Sequence, residues 1–216
     1  MRSSSTKAQQ DNNLIAIANF GLGNVKAIET AYKRLNITVK IANTTDDLKE
    51  GSKIILPGVG SFDWAMQKLE KSGLKSCLDE LVLDKKVPVL GVCVGMHLMA
   101  KSSDEGQCAG LGWIDADVKK LATKQNAHEF GLPHMGWNNA APAIPNELFS
   151  NIDNQRFYFL HSYYFNPSNN KNVLSYTDYS QKFASAIKRD NIYGVQFHPE
   201  KSHNWGLALL KNFAML

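Results

Sequence analysis

Short unbroken apolar runs alternate with helix-spaced stripes along the first half of this chain, and that alternation predicts the order of its elements. Leu14 to Ala18 reads as a strand, Asn19 to Asn24 as a glycine turn, and the following segment as a helix through Leu35. Val39 to Ala42 and Ile54 to Leu56 are the second and third strands, and helices are expected over Trp64 to Ser72 and Leu74 to Asp84. The run at Val87, Val89, Leu90 and Val92 is mostly β-branched, as in a strand covered on both faces of a parallel sheet. It stops at Cys93, and Leu98 and Met99 are expected to begin a helical face. This is an open, mostly parallel α/β sheet flanked by helices.

After Ala100 the rhythm changes. Trp113 to Leu121 alternates loosely, like a strand of an antiparallel segment, and Phe157 to Phe165 is a β-prone run. Leu132 to Asn138 is dense in turn and aromatic residues. Phe183 to Ile187 and Tyr193 to Phe197 predict two strands joined as a hairpin across Lys188 to Ile192, and Trp205 to Phe213 a closing helix. The second half is therefore β-rich and partly antiparallel. Residues Met1 to Asn13, rich in Ser, Gln and Asn, are expected to be a disordered tail, leaving 14–216 as one domain.

Composition narrows the function classes. Three cysteines at 77, 93 and 108 show no metal-ligand spacing, and an odd number without a secretory signal points to a reducing, cytoplasmic setting. The formal charge of +4 is mild, and no Lys/Arg cluster interleaved with aromatics suggests a nucleic-acid surface. No stretch approaches a membrane span. Neither a cofactor nor a metal is expected. The two glycines at 21 and 23 invite a phosphate-loop reading, but no Lys-Ser/Thr follows them.

Candidate chemistry centres on Cys93. Gly91 and Gly95 flank it two residues away on either side, as a sharp strand-to-helix turn carrying a nucleophile requires. A thiol at a helix N-terminus meets unpaired N–H groups that favour thiolate. On its own, Gly-x-Cys-x-Gly is equally compatible with a small residue filling the core. A nucleophile also needs a base and a group that orients the base. His198 follows an apolar strand, as Cys93 does, and Glu200 can turn back to accept its ring N–H. The Pro57-Gly58-Val59-Gly60 loop, at the end of a parallel strand, can turn backbone N–H groups toward the same sheet edge.

Taken together, Phe20 to Asn24, Pro57 to Phe62, Gly91 to Met96, Gly110 to Trp113, Pro133 to Asn138, His161 to Tyr164 and Gln196 to Ser202 identify a resemblance nearly end to end. The sequence resembles the class I glutamine amidotransferases, most closely the branch formed by the glutaminase subunits of imidazole glycerol phosphate synthases. The resemblance implies that Cys93 attacks the glutamine amide, His198 shuttles the proton, and Glu200 orients His198. It implies an oxyanion hole at Val94, Val59 and Gly60, and substrate contacts at Gly58, His97, His161, Ser162 and Tyr163. It also implies a heterodimer with a (β/α)8-barrel cyclase that uses the ammonia to make imidazole glycerol phosphate and AICAR in histidine biosynthesis. The surface facing that partner would include Phe20, Gly21, Asn24, Pro133, His134, Met135, Trp137, Asn138 and Lys201, with exposed aromatics at its centre.

Two positions depart from the family pattern. Asn19 stands where an Asp is usual, and His97 where a Gln contacts bound glutamine. The run at 112–117, with Ser202-His203, also resembles paralogues that supply ammonia to a different barrel-like partner for amidation of an acetamido sugar in surface-polysaccharide pathways. A non-catalytic regulatory subunit and a cysteine peptidase are the alternatives from other classes.

Overall fold

The computed structural model describes residues 13–122 and 131–216. Except for Asn13, the expected N-terminal tail lies outside the described residues. In chain order the strands are β1 (Ile15–Ala18), β2 (Val39–Ala42), β3 (Lys53–Gly58), β4 (Val89–Cys93), β5 (Ser102–Ser103), β6 (Ala116–Lys120), β7 (His134–Asn139), β8 (Ala141–Pro142), β9 (Arg156–His161), β10 (Tyr163–Pro167), β11 (Val173–Asp178), β12 (Lys182–Arg189) and β13 (Ile192–Val195). The helices are α1 (Val25–Arg34), α2 (Thr45–Lys49), α3 (Phe62–Lys71), α4 (Lys75–Asp79), α5 (Val94–His97) and α6 (His203–Ala214), with one π turn continuing α4 through Asp84.

Eight strands form one sheet in the order β2-β1-β3-β4-β13-β12-β11-β8. Pairing is parallel from β2 to β13, and β12, β11 and β8 continue it antiparallel. The side chains of β1 and of Ile54 to Leu56 are fully buried, which accounts for the unbroken apolar runs that predicted these strands. Two small sheets stand beside this one. In the first, β6 pairs antiparallel with β10 and parallel with β5; in the second, β7 pairs antiparallel with β9.

Register does most to build the site. Gly58 of β3 lies opposite Cys93 of β4, so the glycine loop emerges beside the cysteine. Val195 of β13 lies opposite Val92, so Gln196 and the residues after it emerge on the cysteine's other side. His198 is then tied to β9, its N–H donating to the Tyr158 carbonyl at 2.9 Å.

Several expectations need correction. The helix after Cys93 is a single turn, ending before Leu98. The chain from 110 to 114 returns alongside and satisfies the carbonyls there: Leu111 N–H donates to Leu98, Ile114 to Met99 and Gly112 to Ala100. These bonds replace those of a longer helix. The Phe157–Phe165 run is two strands in different sheets, separated at Ser162, whose carbonyl accepts the N–H of Leu121. The segment expected to be turn-dense at 132–138 is largely β7, because its backbone finds a full partner in β9. Strands β8 and β11 and helix α2 had no counterpart in the sequence reading.

Candidate active site

Cys93 closes β4 with φ 54° and ψ −114°, a left-handed conformation that a non-glycine residue adopts only under constraint. The constraint is steric. A Cβ on Gly95 would sit 1.9 Å from the Leu56 carbonyl oxygen, so the turn after the cysteine is pressed flat against β3 and no larger residue fits. Gly58 is crowded in the same way, its missing Cβ facing the Gly95 nitrogen at 2.4 Å. Gly58 lies beneath the elbow and is not among the residues that line the cavity.

Above the elbow is a cavity of about 350 Å³, the size range of small-molecule sites. Cys93, Val94, Val59, Gly60 and His198 line it, together with His97, His161, Ser162 and Tyr163. The elbow, the glycine loop, the histidine and four of the five expected substrate contacts thus share one space. The Cys93 sulfur is 3.9 Å from the Leu160 carbonyl oxygen and 4.0 Å from Gln196 Nε2.

His198 Nδ1 lies 2.9 Å from Glu200 Oε1, and the same oxygen accepts from Asn24 Nδ2 at 2.9 Å. Burial alone would lower the His198 pKa, but the Cys93 sulfur and the Glu200 carboxylate outweigh it and push the value up to about 10. Burial likewise opposes the charge on Glu200, and its bond to His198 overcomes that, holding the carboxyl below its ordinary range. The arrangement is an ion pair of imidazolium and carboxylate beside the Cys93 sulfur. It can hold a proton next to a sulfur nucleophile and deliver it to a leaving group.

Leu160 and His161 of β9 also line the cavity, and β7 pairs with β9 behind them. His161 Nδ1 bonds the Tyr163 carbonyl at 2.8 Å, and its Nε2 meets His134 Nδ1 at 2.9 Å. Asn138 Nδ2 reaches His134 Nε2 at 3.2 Å. Because an amide nitrogen can only donate, the chain has one direction: Asn138 donates to His134, which donates from Nδ1 to His161, which donates to the Tyr163 carbonyl. Burial holds His134 at about 4 and His161 well below its ordinary value. Both rings are neutral.

Residues 16–216 match the family model described as glutamine amidotransferase class-I. The chain is 49% identical over 204 residues to the imidazole glycerol phosphate synthase subunit HisH of Leptospira interrogans, covering 94% of this chain and 100% of that one. It is 48% identical over 202 residues to the HisH subunit of Bdellovibrio bacteriovorus, covering 93% and 99%. The chain belongs to the HisH family of class-I glutamine amidotransferases. A solved glutamine amidotransferase shares the HisH-family fold at 17% identity, with a TM-score of 0.70 over 94% of this chain and 99% of that one.

Against this HisH-family fold, the expected partner-facing residues divide. Met135 (64% exposed) and Trp137 (38%) stand on the surface, where Trp137 meets the rings of Tyr158, His203 and Trp205. Gly21 is exposed, and Pro133 and Lys201 are exposed at the cavity. Phe20 and His134 are buried, so the expectation of exposed side chains fails at both. Phe20 joins the main core, because Asn19 extends β1 by donating to the Ala42 carbonyl and carries the next ring inward. His134 is stacked between Phe159 and Tyr179. Asn24 lines the cavity and serves Glu200, and Asn138 is half-buried on His134. Asn19 is engaged locally, donating to Asn43 Oδ1 at 2.8 Å.

The sequence reading missed the roles of three residues in or behind the site: Asn24 was placed only on the partner-facing surface, Glu105 was not singled out, and Gln196 lies behind the cavity lining against the Cys93 sulfur. Asn24 is 176 positions from the carboxylate it serves, so no local spacing reveals it as a triad partner. Glu105 lines the cavity and accepts the Phe62 N–H at 2.9 Å, yet nothing in the 102–107 stretch marks it. Gln196 follows β13 directly, two residues before His198, and is brought beside the cysteine by the register of β13 with β4.

Proposed function

We propose that this chain hydrolyses glutamine to glutamate and ammonia as the glutaminase subunit of an imidazole glycerol phosphate synthase, with residues 14–216 acting as one amidotransferase domain. The observation that carries the reading is that Cys93, the His198–Glu200 pair and the Val59–Gly60 loop share one cavity. The Cys93 thiolate attacks the side-chain amide carbon of glutamine. The carbonyl oxygen becomes an oxyanion held by backbone N–H groups of Val94 and the Val59–Gly60 loop, each donor worth about 3 kcal/mol in the transition state. His198 donates its proton to the amide nitrogen, the C–N bond breaks, and ammonia leaves a thioester on Cys93. Neutral His198 then takes a proton from water, the hydroxide displaces the sulfur, and glutamate departs with thiolate and imidazolium restored. Glu200 keeps the ring oriented and charged. Ser162, Tyr163 and His161 form the wall along the substrate, and Glu105, the acidic side chain at the cavity, suits its α-ammonium.

The ammonia passes, shielded from water, to a cyclase subunit. We assign that partner a (β/α)8-barrel fold and place it on the face of Met135 and Trp137, continued by Gly21, Pro133, Asn138 and Lys201. A surface cluster of aromatic rings, Trp137 with His203 and Trp205, is the composition of an interface centre. The relatives' names favour this pathway over sugar amidation. The test is glutamate release by the chain mixed with a histidine-pathway cyclase, with and without its ribulosyl nucleotide. Strong nucleotide-dependent stimulation is expected, and Cys93→Ser should abolish release while still binding the cyclase. Release surviving in Cys93→Ser would overturn the nucleophile; absence of stimulation would overturn the pathway alone.

A further inference from the structure

The sulfur of Cys93 has a neighbour that the reaction above does not use. Gln196 is fully buried, and because Val195 pairs with Val92 its side chain emerges beside the cysteine. Its Oε1 lies 2.8 Å from His97 Nε2, and its Nε2 lies 4.0 Å from the Cys93 sulfur. His97 is itself buried, at 2% exposure.

Only one orientation of this amide suits a thiolate. With Oε1 accepting from His97 Nε2–H, the NH2 group faces the sulfur and can donate to its negative charge. Turned over, the amide would present oxygen lone pairs to the thiolate and its NH2 to the imidazole. The Leu160 carbonyl, 3.9 Å from the sulfur, accepts from the thiol but repels the thiolate, so it cannot replace the amide donor.

We propose that Gln196 is a positioning residue for the nucleophile, donating an amide N–H to the Cys93 thiolate, and that His97 acts through it by fixing the amide's orientation. The proposal rests on the glutaminase reading and deepens it. It also gives His97 a role other than the expected contact with glutamine, since its Nε2 is already engaged by Gln196. The hydrogen bond to an ionised partner belongs to the stronger class. The other titratable groups at the sulfur or around its cavity are His198 with Glu200 behind it, His161, Tyr163, Glu105 and Lys201, and none of them is altered in the test.

The experiment is alkylation of Cys93 by iodoacetamide as a function of pH, on the full chain, alongside glutamate release in the complex with the cyclase. Gln196→Met keeps the length and removes the donor. The alkylation midpoint should move to higher pH by about one unit and kcat fall about tenfold, with KM within about twofold of the parent, as for loss of one hydrogen bond to a charged group. Gln196→Glu, which sets a carboxylate against the sulfur, should move the midpoint further. His97→Leu should act in the same direction as Gln196→Met but less, and His97→Gln should restore the parent profile, because its amide can donate to Gln196. Should Gln196→Met fail to fold, Gln196→Asn, which draws the donor away from the sulfur, carries the same comparison. An unchanged midpoint and kcat in the Gln196 variant would overturn the proposal, as would a His97→Leu effect confined to KM. Alkylation does not use glutamine, so failure of the glutaminase reading would show separately, as absent glutamate release by the unaltered chain.

Discussion

His198 and His134 are equally buried, each 3% exposed, and each is hydrogen-bonded through its ring, yet they stand at opposite ends of the imidazole titration range. His198 is pushed up to about 10 and His134 down to about 4. Burial acts against charge on both. The difference is the partner: a carboxylate and the cysteine sulfur at the triad corner, against another imidazole and an amide N–H between β7 and β9. Depth in the protein therefore does not decide which histidine carries the proton; the chemistry of one or two neighbours does. The triad corner holds charge, and the linked histidines of β7 and β9 hold none.

The largest break in that contrast is Glu200→Gln, which keeps the shape and removes the carboxylate charge. His198 should then titrate well below 10 and kcat should fall on the order of 10²–10⁴-fold, read from ring NMR and glutamate release, by analogy with triads that lose their carboxylate.

An intermediate effect is expected in acid. Between the unfolded value of about 6.5 and the folded value of about 4, the unfolded chain binds the His134 proton and the folded chain refuses it, so stability falls as pH drops through that window. His97, also held at about 4 by burial, adds to the same fall. His198 works the other way: its contribution is fully present below about 6.5 and is lost as pH rises through about 10. Urea midpoints across the acid window should decline less steeply in His134→Phe than in the parent; equal slopes would remove His134 from the account.

The smallest effect belongs to Asn138→Ala, which takes the donor from His134 Nε2 and a bond to the Asp178 carbonyl. About 1 kcal/mol of stability should be lost in denaturant unfolding.

How much of this could be read in advance follows from where each feature is encoded. The parallel half was legible because β1, β3 and β4 are buried on both faces and so are written as apolar runs, and the elbow because glycines must flank it. Strand β11 was not. Its Ser175 and Thr177 are buried and satisfied by Ser185 Oγ and the Asn139 carbonyl, so polar letters occupy core positions and the alternation is lost. The strand character of His134 to Asn139 was masked by the proline before it and by its glycine and asparagines, whose pairing depends on a separate strand, β9, and not on a tight hairpin turn. Cys93, His198 and Glu200 could be named from motifs, but Asn24 and Glu105 reach the cavity, and Gln196 the cysteine behind it, through register and long-range contact, which spacing along the chain does not express.

The backbone at Cys93 has a consequence for how such a chain changes over generations. A side chain held at φ 54° there costs about 1–3 kcal/mol that glycine would avoid. The molecule is therefore less stable than an inert twin differing at that one position. Selection acting on folding alone would erase the thiol, and only continued demand for turnover keeps it in place.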